Sequence, residues 1–599
     1  MDKNKKNKTK ILRTLMKSVR EYKVPAILSP VFVMLETGIE CLIPFVTAKL
    51  IDNITAKKLD VIFGIAATLF ICALLALTFG FFAAKFTAKA SAGFAKNLRE
   101  DVFFNIQEFS FSNIDKFSTS SLVTRLTTDI TNIQHSFSMI IRAAFRVPLM
   151  MIFSICMAFF VSMDVAWIFI IILPVTAVLL LLIVRIAIPM FSKIFPKYDE
   201  FNESIQENIS GIRVVKTYVR EEFEKEKFKV KNDNIKKEFI RAEKIVAFNG
   251  PVLQLGIYTA LALVTILGTK TILSSFGGYD PITEEPIWGE LSPGTMQSLI
   301  GYGFQMLSSL MMLSMIVVMI SISLPAMRRV VEVIKEKPTI VNPVNPIYKI
   351  QNGEIEFKNV NFKYSEHAEK FALNDIDLKI ESGMTVGIFG GTGSSKTTLV
   401  NLISRLYDVT EGELLVGGVN VKDYDIKSLR DAVSVVLQKN VLFSGTIREN
   451  LLWGDINATD DEIEYACKLA CADEFINSFE DKYEHHIEQG GTNVSGGQKQ
   501  RLCIARALIK KPKVLILDDS TSAVDMKTDA IIREGFKKFL PNTTKIIIAQ
   551  RLSSIEDADM VVVMNNGHID AIGTNEELLK TNAIYQEVYN IQNSKGGNE

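Results

Sequence analysis

The chain has 599 residues, more than one hydrophobic core ordinarily serves. Its 67 Lys and Arg are balanced by 67 Asp and Glu, which excludes a nucleic-acid binder led by a global basic field. Hydrophobic residues make up 48% and mean hydropathy is +0.21, with long apolar runs crowded into the first 330 or so positions. A membrane half followed by a soluble half is the reading that fits. The six cysteines show neither a disulfide framework nor zinc-ligand spacing.

The start, "MDKNKKNKTK", is basic, and no short apolar core with a cleavage site follows it. In "ILRTLMKSVREYK", apolar Ile11, Leu12, Leu15, Met16, Val19 and Tyr22 recur at helical spacing, with Arg13, Lys17, Arg20 and Lys23 mainly between them. This pattern predicts an amphipathic elbow on the cytoplasmic membrane face. Apolar segments near 24–50, 61–87, 136–162, 165–190, 246–275 and 295–325 are each long enough to span a bilayer, which takes about 20 residues. Two charged connections, 88–135 and 191–245, predict helices that continue far into water. The 276–294 connection carries Asp280, Glu284, Glu285 and Glu290 and no Lys or Arg, so the positive-inside rule puts it outside and the N-terminus inside.

Within the spans, Glu36 and Glu40 are four apart and so share a helix face, and Arg142 and Arg146 repeat that spacing. Intramembrane charges face a cavity or a partner. Two readings stand side by side: a polar substrate cavity favouring cationic or amphipathic molecules, and structural ion pairing.

The stretch 336–352 holds three prolines and reads as a linker. Beyond it, short β runs such as "MTVGIFG", "VLILDD" and "KIIIAQ" alternate with helices, predicting an α/β domain on a largely parallel sheet. "TVGIF" runs into "GGTGSSKTT" and a helix, the strand–loop–helix context of a phosphate loop. Such a loop cradles phosphate on backbone N–H groups, here those of Gly390, Gly391, Thr392, Gly393, Ser394 and Ser395 up to Lys396, Thr397 and Thr398. The usual pattern has glycine where Ser395 stands. If that backbone has positive φ, a non-glycine costs about 1–2 kcal/mol; if it is helical, serine costs little.

Four further stretches carry a resemblance: "NVNFKY" with Tyr364, "VVLQKNVLFSGTIRENL" with Gln438, "VSGGQKQR" from Val494, and "VLILDDSTSAVD" ending at Asp525. In order and spacing they are similar to the A-loop, Q-loop, signature, Walker B and D-loop of ATP-binding cassette proteins. Joined to six spans, the chain resembles a half-transporter of the exporter type, and in particular the degenerate-site subunit of bacterial heterodimeric multidrug exporters. The resemblance implies an elbow at 1–23, an all-α six-span domain at 24–335 and a P-loop nucleotide-binding domain at 353–599. It implies ATP and Mg²⁺, with Tyr364 on adenine, Lys396 on phosphates, and Thr397, Gln438 and Asp518 about the metal. Ser495, Gly496, Gly497 and Gln498 would contact ATP held by a second subunit, with Ser522 and Asp525 in the D-loop between. Coupling segments are expected around 109–119 and 208–218.

Departures from the family pattern shape the functional expectation. Asp519 stands where the family has the glutamate that polarises water, and Gln550 replaces its switch histidine. Val494 replaces the usual leucine of the signature. The expectation is a site that binds ATP and hydrolyses it poorly, in a heterodimer whose partner supplies the glutamate and histidine. The expected setting is the cell membrane, with lipids and a hydrophobic or amphipathic small molecule as further partners and no nucleic acid. Alternatives are a lipid translocator or a regulatory ATP-binding subunit.

Overall fold

The computed structural model describes residues 10–280, 286–365, 368–519 and 524–595. Positions 1–9, Glu284 and Glu285 of the sequence expectations lie outside them. The chain forms two units, one of Met1–Gln107 with Ser118–Glu336, the other of Glu108–Phe117 with Lys337–Glu599.

The first unit is helical. Its long helices are α1 (Lys23–Thr55) and α2 (Leu59–Gln107). A short α3 (Phe111–Lys116), which belongs to the second unit, precedes α4 (Ile130–Val161) and α5 (Met163–Ser210). Then come α6 (Ile212–Thr217), α7 (Glu221–Ala247), α8 (Asn249–Ser275) and α9 (Pro293–Lys335). Among the described residues, six helical stretches are long and apolar enough to cross a membrane, and each falls on one expected span. The charged connections are helical too. At 1.5 Å per residue the 49 residues of α2 reach about 74 Å, more than twice the hydrocarbon thickness of a bilayer. Helix α9 starts sharply because Ser292 and Thr295 form a reciprocal cap and Pro293 occupies the first turn.

At the N-terminal elbow, Ile11, Leu15 and Val19 are buried while Leu12 and Met16 are exposed. Ser18 Oγ donates to Asp101 of α2 at 2.6 Å, and Arg20 pairs with the same carboxylate. The elbow therefore packs one face on α2 and leaves the other apolar face open, which suits an interfacial position.

The second unit is built on a six-stranded sheet. Its strands are β3 (Thr385–Gly390), β5 (Val433–Val436), β6 (Val514–Asp518), β7 (Thr544–Ile548), β8 (Met560–Asn565) and β9 (His568–Gly573), after β1 (Ile355–Phe362) and β2 (Leu373–Ile380). The order is β9-β8-β3-β7-β6-β5, with only β9 antiparallel to its neighbour. All five residues of β6 and of β7 are buried, as expected of central parallel strands covered on both faces. A second, antiparallel sheet joins β1 and β2 to β4 (Glu411–Val416) and a short strand at Val419–Asn420.

Close helix packing in the first unit makes one glycine irreplaceable. A Cβ on Gly294 would collide with the Ala48 carbonyl oxygen of α1, and the Gly294 N–H donates to Asp52 Oδ1 at 2.9 Å. Gly294→Ala is expected to cost about 1–3 kcal/mol by forcing α1 and α9 apart. Gly301→Ala, whose Cβ would meet Pro44 at an ordinary 3.4 Å, should stay within about 0.5 kcal/mol. Thermal unfolding of the two variants in detergent separates them.

Candidate active site

Adjacent parallel strands deliver the chemistry. β3 ends in the phosphate loop, β7 runs into Gln550 and β6 ends at Asp518. The register pairs Ile548 with Ile388 on one side and with Asp518 on the other, so all three strand ends lie level. Ligands of open parallel sheets bind at such carboxyl ends. Here a cavity of about 580 Å³ is lined by the loop from Phe389 to Gly393 and from Ser395 to Thr398, by Gln438, Asp518, Asp519, Ile548 and Gln550, and by Ile584 and Val588.

The loop has the shape phosphate requires. A Cβ on Gly391 or Gly393 would meet nothing within 4 Å, so their backbone faces open space. Lys396 opens α10 (Lys396–Ile403) and turns its Nζ onto the Gly390 and Gly391 carbonyls at 2.8 Å each and onto Ser394 Oγ at 3.3 Å. Burial pushes the Lys396 ammonium down, opposed by Asp518 and Asp519. Phosphate oxygens would compete for these N–H donors. Burial pushes the Asp518 carboxyl up, while a hydrogen bond from Thr397 pulls it down. Thr397, Asp518 and Gln438 line the same cavity and form an oxygen-rich set suited to Mg²⁺. When bound, that ion supplies charge neutralisation to the phosphates.

Ser395 has φ 71° and ψ 24°, the left-handed region. Of the two possibilities left open by the sequence, the strained one holds. Serine therefore costs about 1–2 kcal/mol here relative to an unstrained backbone.

Asp519 is held in place. Its Oδ2 accepts from Gln550 Nε2 at 3.0 Å and from Gln438 Nε2 at 3.4 Å. The two unusual residues are hydrogen-bonded to each other, and their amide–carboxylate pair sits beside the phosphate loop.

Tyr364 is half-exposed at 49% and shares a 2.8 Å hydrogen bond with Thr398 Oγ1. Its ring meets Tyr407 edge-on at 5.2 Å, leaving an aromatic surface for a base. Ser495 caps α11 (Gly496–Ile509): its N–H donates to Gln498 Oε1 at 2.9 Å, and its Oγ accepts from Gln498 N at 3.2 Å. Ser495 and Gly496 are exposed, and the signature residues are not among those lining the Walker cavity. Asp525 caps the next helix by accepting from Thr528 N at 2.9 Å, whereas Ser522 lies outside the described residues. In the helical unit, Glu36, Glu40 and Arg146 come together, and Arg142 is not part of that group.

The comparisons with known proteins agree with this geometry. The ABC transporter transmembrane region matches residues 26–282, and the ABC transporter domain matches residues 373–522. An uncharacterized ABC transporter ATP-binding protein, YfiB, of Bacillus subtilis is 30% identical over 97% of this chain and 98% of its own length.

The chain belongs to the ABC transporter family.

A second relative, the putative multidrug export ATP-binding/permease protein YgaD of Bacillus subtilis, is 37% identical over 65% of each chain. A bacterial Atm1-family ABC exporter with ATP bound superposes with a TM-score of 0.81 at 22% identity, covering 96% of this chain and 99% of that one. That likeness establishes the exporter-type fold. This ABC transporter is a multi-pass membrane protein with a cytoplasmic ATP-binding domain of the kind that couples ATP hydrolysis to transport.

Three features of this ABC transporter carry no motif and escape sequence reasoning. Helix α12 (Ala583–Lys595) lines the cavity with Ile584 and Val588. From the same helix Gln592 Nε2 donates to the Gln550 carbonyl at 3.0 Å and its Oε1 accepts from Leu552 N at 2.9 Å, fastening the loop that bears Gln550. Tyr407, edge-on to Tyr364, donates to Asp115 Oδ2 of α3 at 2.6 Å. Burial and that carboxylate both push the Tyr407 phenol up. Nothing local in the sequence places Tyr407 between Tyr364 and Asp115.

Relieving the left-handed strain has a measurable consequence. Ser395→Gly should raise the stability of the nucleotide domain by about 1 kcal/mol, after allowing for glycine's extra unfolded-state entropy. Calorimetry of the nucleotide-domain transition gives the number, and ATP affinity should not fall.

Proposed function

We propose that this chain is one subunit of a heterodimeric ATP-driven exporter of hydrophobic or amphipathic small molecules. Its own Walker site binds ATP and hydrolyses it slowly, and its signature Ser495–Gln498 completes the partner subunit's catalytic site. The observation that carries this reading is the Asp519–Gln550 hydrogen bond of 3.0 Å. A carboxylate one methylene shorter than glutamate, turned toward an amide donor, is badly placed to polarise an attacking water. General-base help is worth about 10²–10⁴-fold in rate, and most of that is lost here. Glutamine also carries neither the charge nor the proton of an imidazolium.

An ordinary phosphate cradle with a poor general base holds nucleotide without turning it over. Two copies of this chain would make two such sites, so a second subunit bearing glutamate and histidine accounts for productive turnover. The capped, exposed start of α11 supports a role toward that subunit's ATP. The printed name of YgaD, a putative multidrug exporter, supports the cargo class.

Two experiments test the proposal. ATPase activity is measured for the chain alone, for its genomic neighbour alone and for the two together; activity should emerge only from the pair. Vigorous turnover by this chain alone contradicts the heterodimer. The double substitution Asp519→Glu with Gln550→His should raise single-turnover hydrolysis at this chain's site by about 10²-fold. An unchanged rate places the defect at Ser395 or in the opposing signature.

A further inference from the structure

The sheet pairing that carries β7 runs out one residue past the strand, where the Ala549 N–H donates to the Ile388 carbonyl at 3.3 Å. Gln550 comes next, so the residue that bonds Asp519 has left the ladder that aligned it. Its backbone is nevertheless paired. Gln592 Nε2 of α12 donates to the Gln550 carbonyl at 3.0 Å, and Gln592 Oε1 accepts from Leu552 N at 2.9 Å. Arg551 between them is extended, with φ −99° and ψ 126°. In a parallel ladder, one residue bonds the carbonyl of a neighbour and the N–H of the residue two further on. One side-chain amide makes that same pair of bonds here, so it prolongs the pairing past the end of β7.

Helix α12 is a strut anchored at both ends. Near its start, Tyr585 is buried, meets Phe389 edge-on at 5.7 Å and donates from Oη to Asn575 Oδ1 at 2.8 Å. Phe389 is the β3 residue just before Gly390 opens the phosphate loop. Ile584, Val588 and Gln592 are four apart and share one helix face. The first two line the nucleotide cavity, and the third reaches the Gln550 backbone. The helix thus ties the root of the phosphate loop to the turn after β7. Both polar atoms of the Gln592 amide engage that one turn, which fixes its backbone in place and direction. The Gln550 side chain, carried on this backbone, donates to Asp519 Oδ2 at 3.0 Å.

We propose that Gln592 is a positioning residue that keeps the Asp519–Gln550 pair closed and thereby slows ATP hydrolysis at this chain's site. In that reaction a water oxygen bonds to the γ-phosphorus, the bond from that phosphorus to its bridging oxygen breaks, the electron pair leaves on ADP, and the water's proton passes to solvent. An Asp519 Oδ2 that accepts from Gln550 Nε2 is turned to the amide instead of to the water. Without the Gln592 amide the turn after β7 loosens, Gln550 leaves Asp519, and the carboxylate oxygen accepts from water. The inference rests on the reading that this site binds ATP and hydrolyses it slowly, and it names what holds the site slow. A merely structural α12 gives the opposite sign, because loosening the wall of a reaction cavity slows chemistry.

The test uses the full chain with its partner subunit in lipid nanodiscs. The probe is 8-azido-ATP labelled at the α or the γ phosphate and photo-crosslinked, after which this chain is separated from its partner on a gel. The α label on this chain reports bound nucleotide, and loss of γ label relative to α reports hydrolysis at its own site. Gln592→Met, similar in length and without the amide, should speed loss of the γ label about fivefold, the rate equivalent of one net hydrogen bond. The ATP concentration that half-saturates the α label should move by less than about twofold. Gln592→Glu keeps an acceptor for Leu552 N but offers no donor to the Gln550 carbonyl, and it should match Gln592→Met. Gln550→Ala should by itself speed loss of the γ label, and adding Gln592→Met to it should change nothing further. Slower or unchanged loss in Gln592→Met overturns the inference, and so does an undiminished effect in the Gln550→Ala background. If the α12 variants do not fold, Gln550→Ala alone decides, and a γ label lost no faster there overturns the inference. The slow-site reading fails separately, if the unaltered chain loses its γ label as fast as its partner does; the ratio of variant to parent still measures the effect of Gln592.

Discussion

Everything at the nucleotide site depends on the level alignment of three parallel strands. The phosphate loop, Asp518 and Gln550 are far apart along the chain, yet β3, β7 and β6 place their carboxyl ends side by side. Hydrogen bonds fix that register, and burial on both faces fixes the strands. A slip by one residue would turn each buried side chain to the other face and withdraw Asp518 from the cavity. The precision of the site comes from this one ladder.

Within that frame the unusual residues make physical sense as a set. Asp519 and Gln550 satisfy each other, so the shortened carboxylate is not left without a donor. Gln592 fastens the backbone of Gln550 from the C-terminal helix, which holds the pair in position. Ser395 keeps the left-handed turn a glycine would adopt freely and carries the strain, while the loop's backbone still opens onto the cavity. The cradle is retained in form beside this amide–carboxylate pair.

The helical unit follows a different rule. In lipid the backbone must satisfy itself, so any long apolar run becomes a helix. The charged continuations follow because an established helix propagates cheaply into sequence of adequate propensity. That is why six spans and their extensions were legible from hydropathy and charge. Segment Phe111–Lys116 was expected near a coupling region, and in the nucleotide unit it is held by Tyr407 on Asp115 and by Asn113 on Lys337 and Thr339, partners no local pattern marks. The second expected coupling segment, Ile212–Thr217, is a short, largely exposed helix in the other unit. Glu36 and Glu40 were recognisable as a pair by their spacing; that Arg146 and not Arg142 answers them depends on how α4 is rotated against α1.

The sequence by itself determined the two-part architecture, the six spans and the family. These rest on periodicity, length and short motifs, which are local along the chain. It also named the departures at Ser395, Val494, Asp519 and Gln550. Only the tertiary structure decided that Ser395 is strained, that Asp519 and Gln550 bond to each other, and that the C-terminal helix lines the cavity. These facts concern distances between residues remote in sequence and backbone angles set by packing, and no local pattern encodes either.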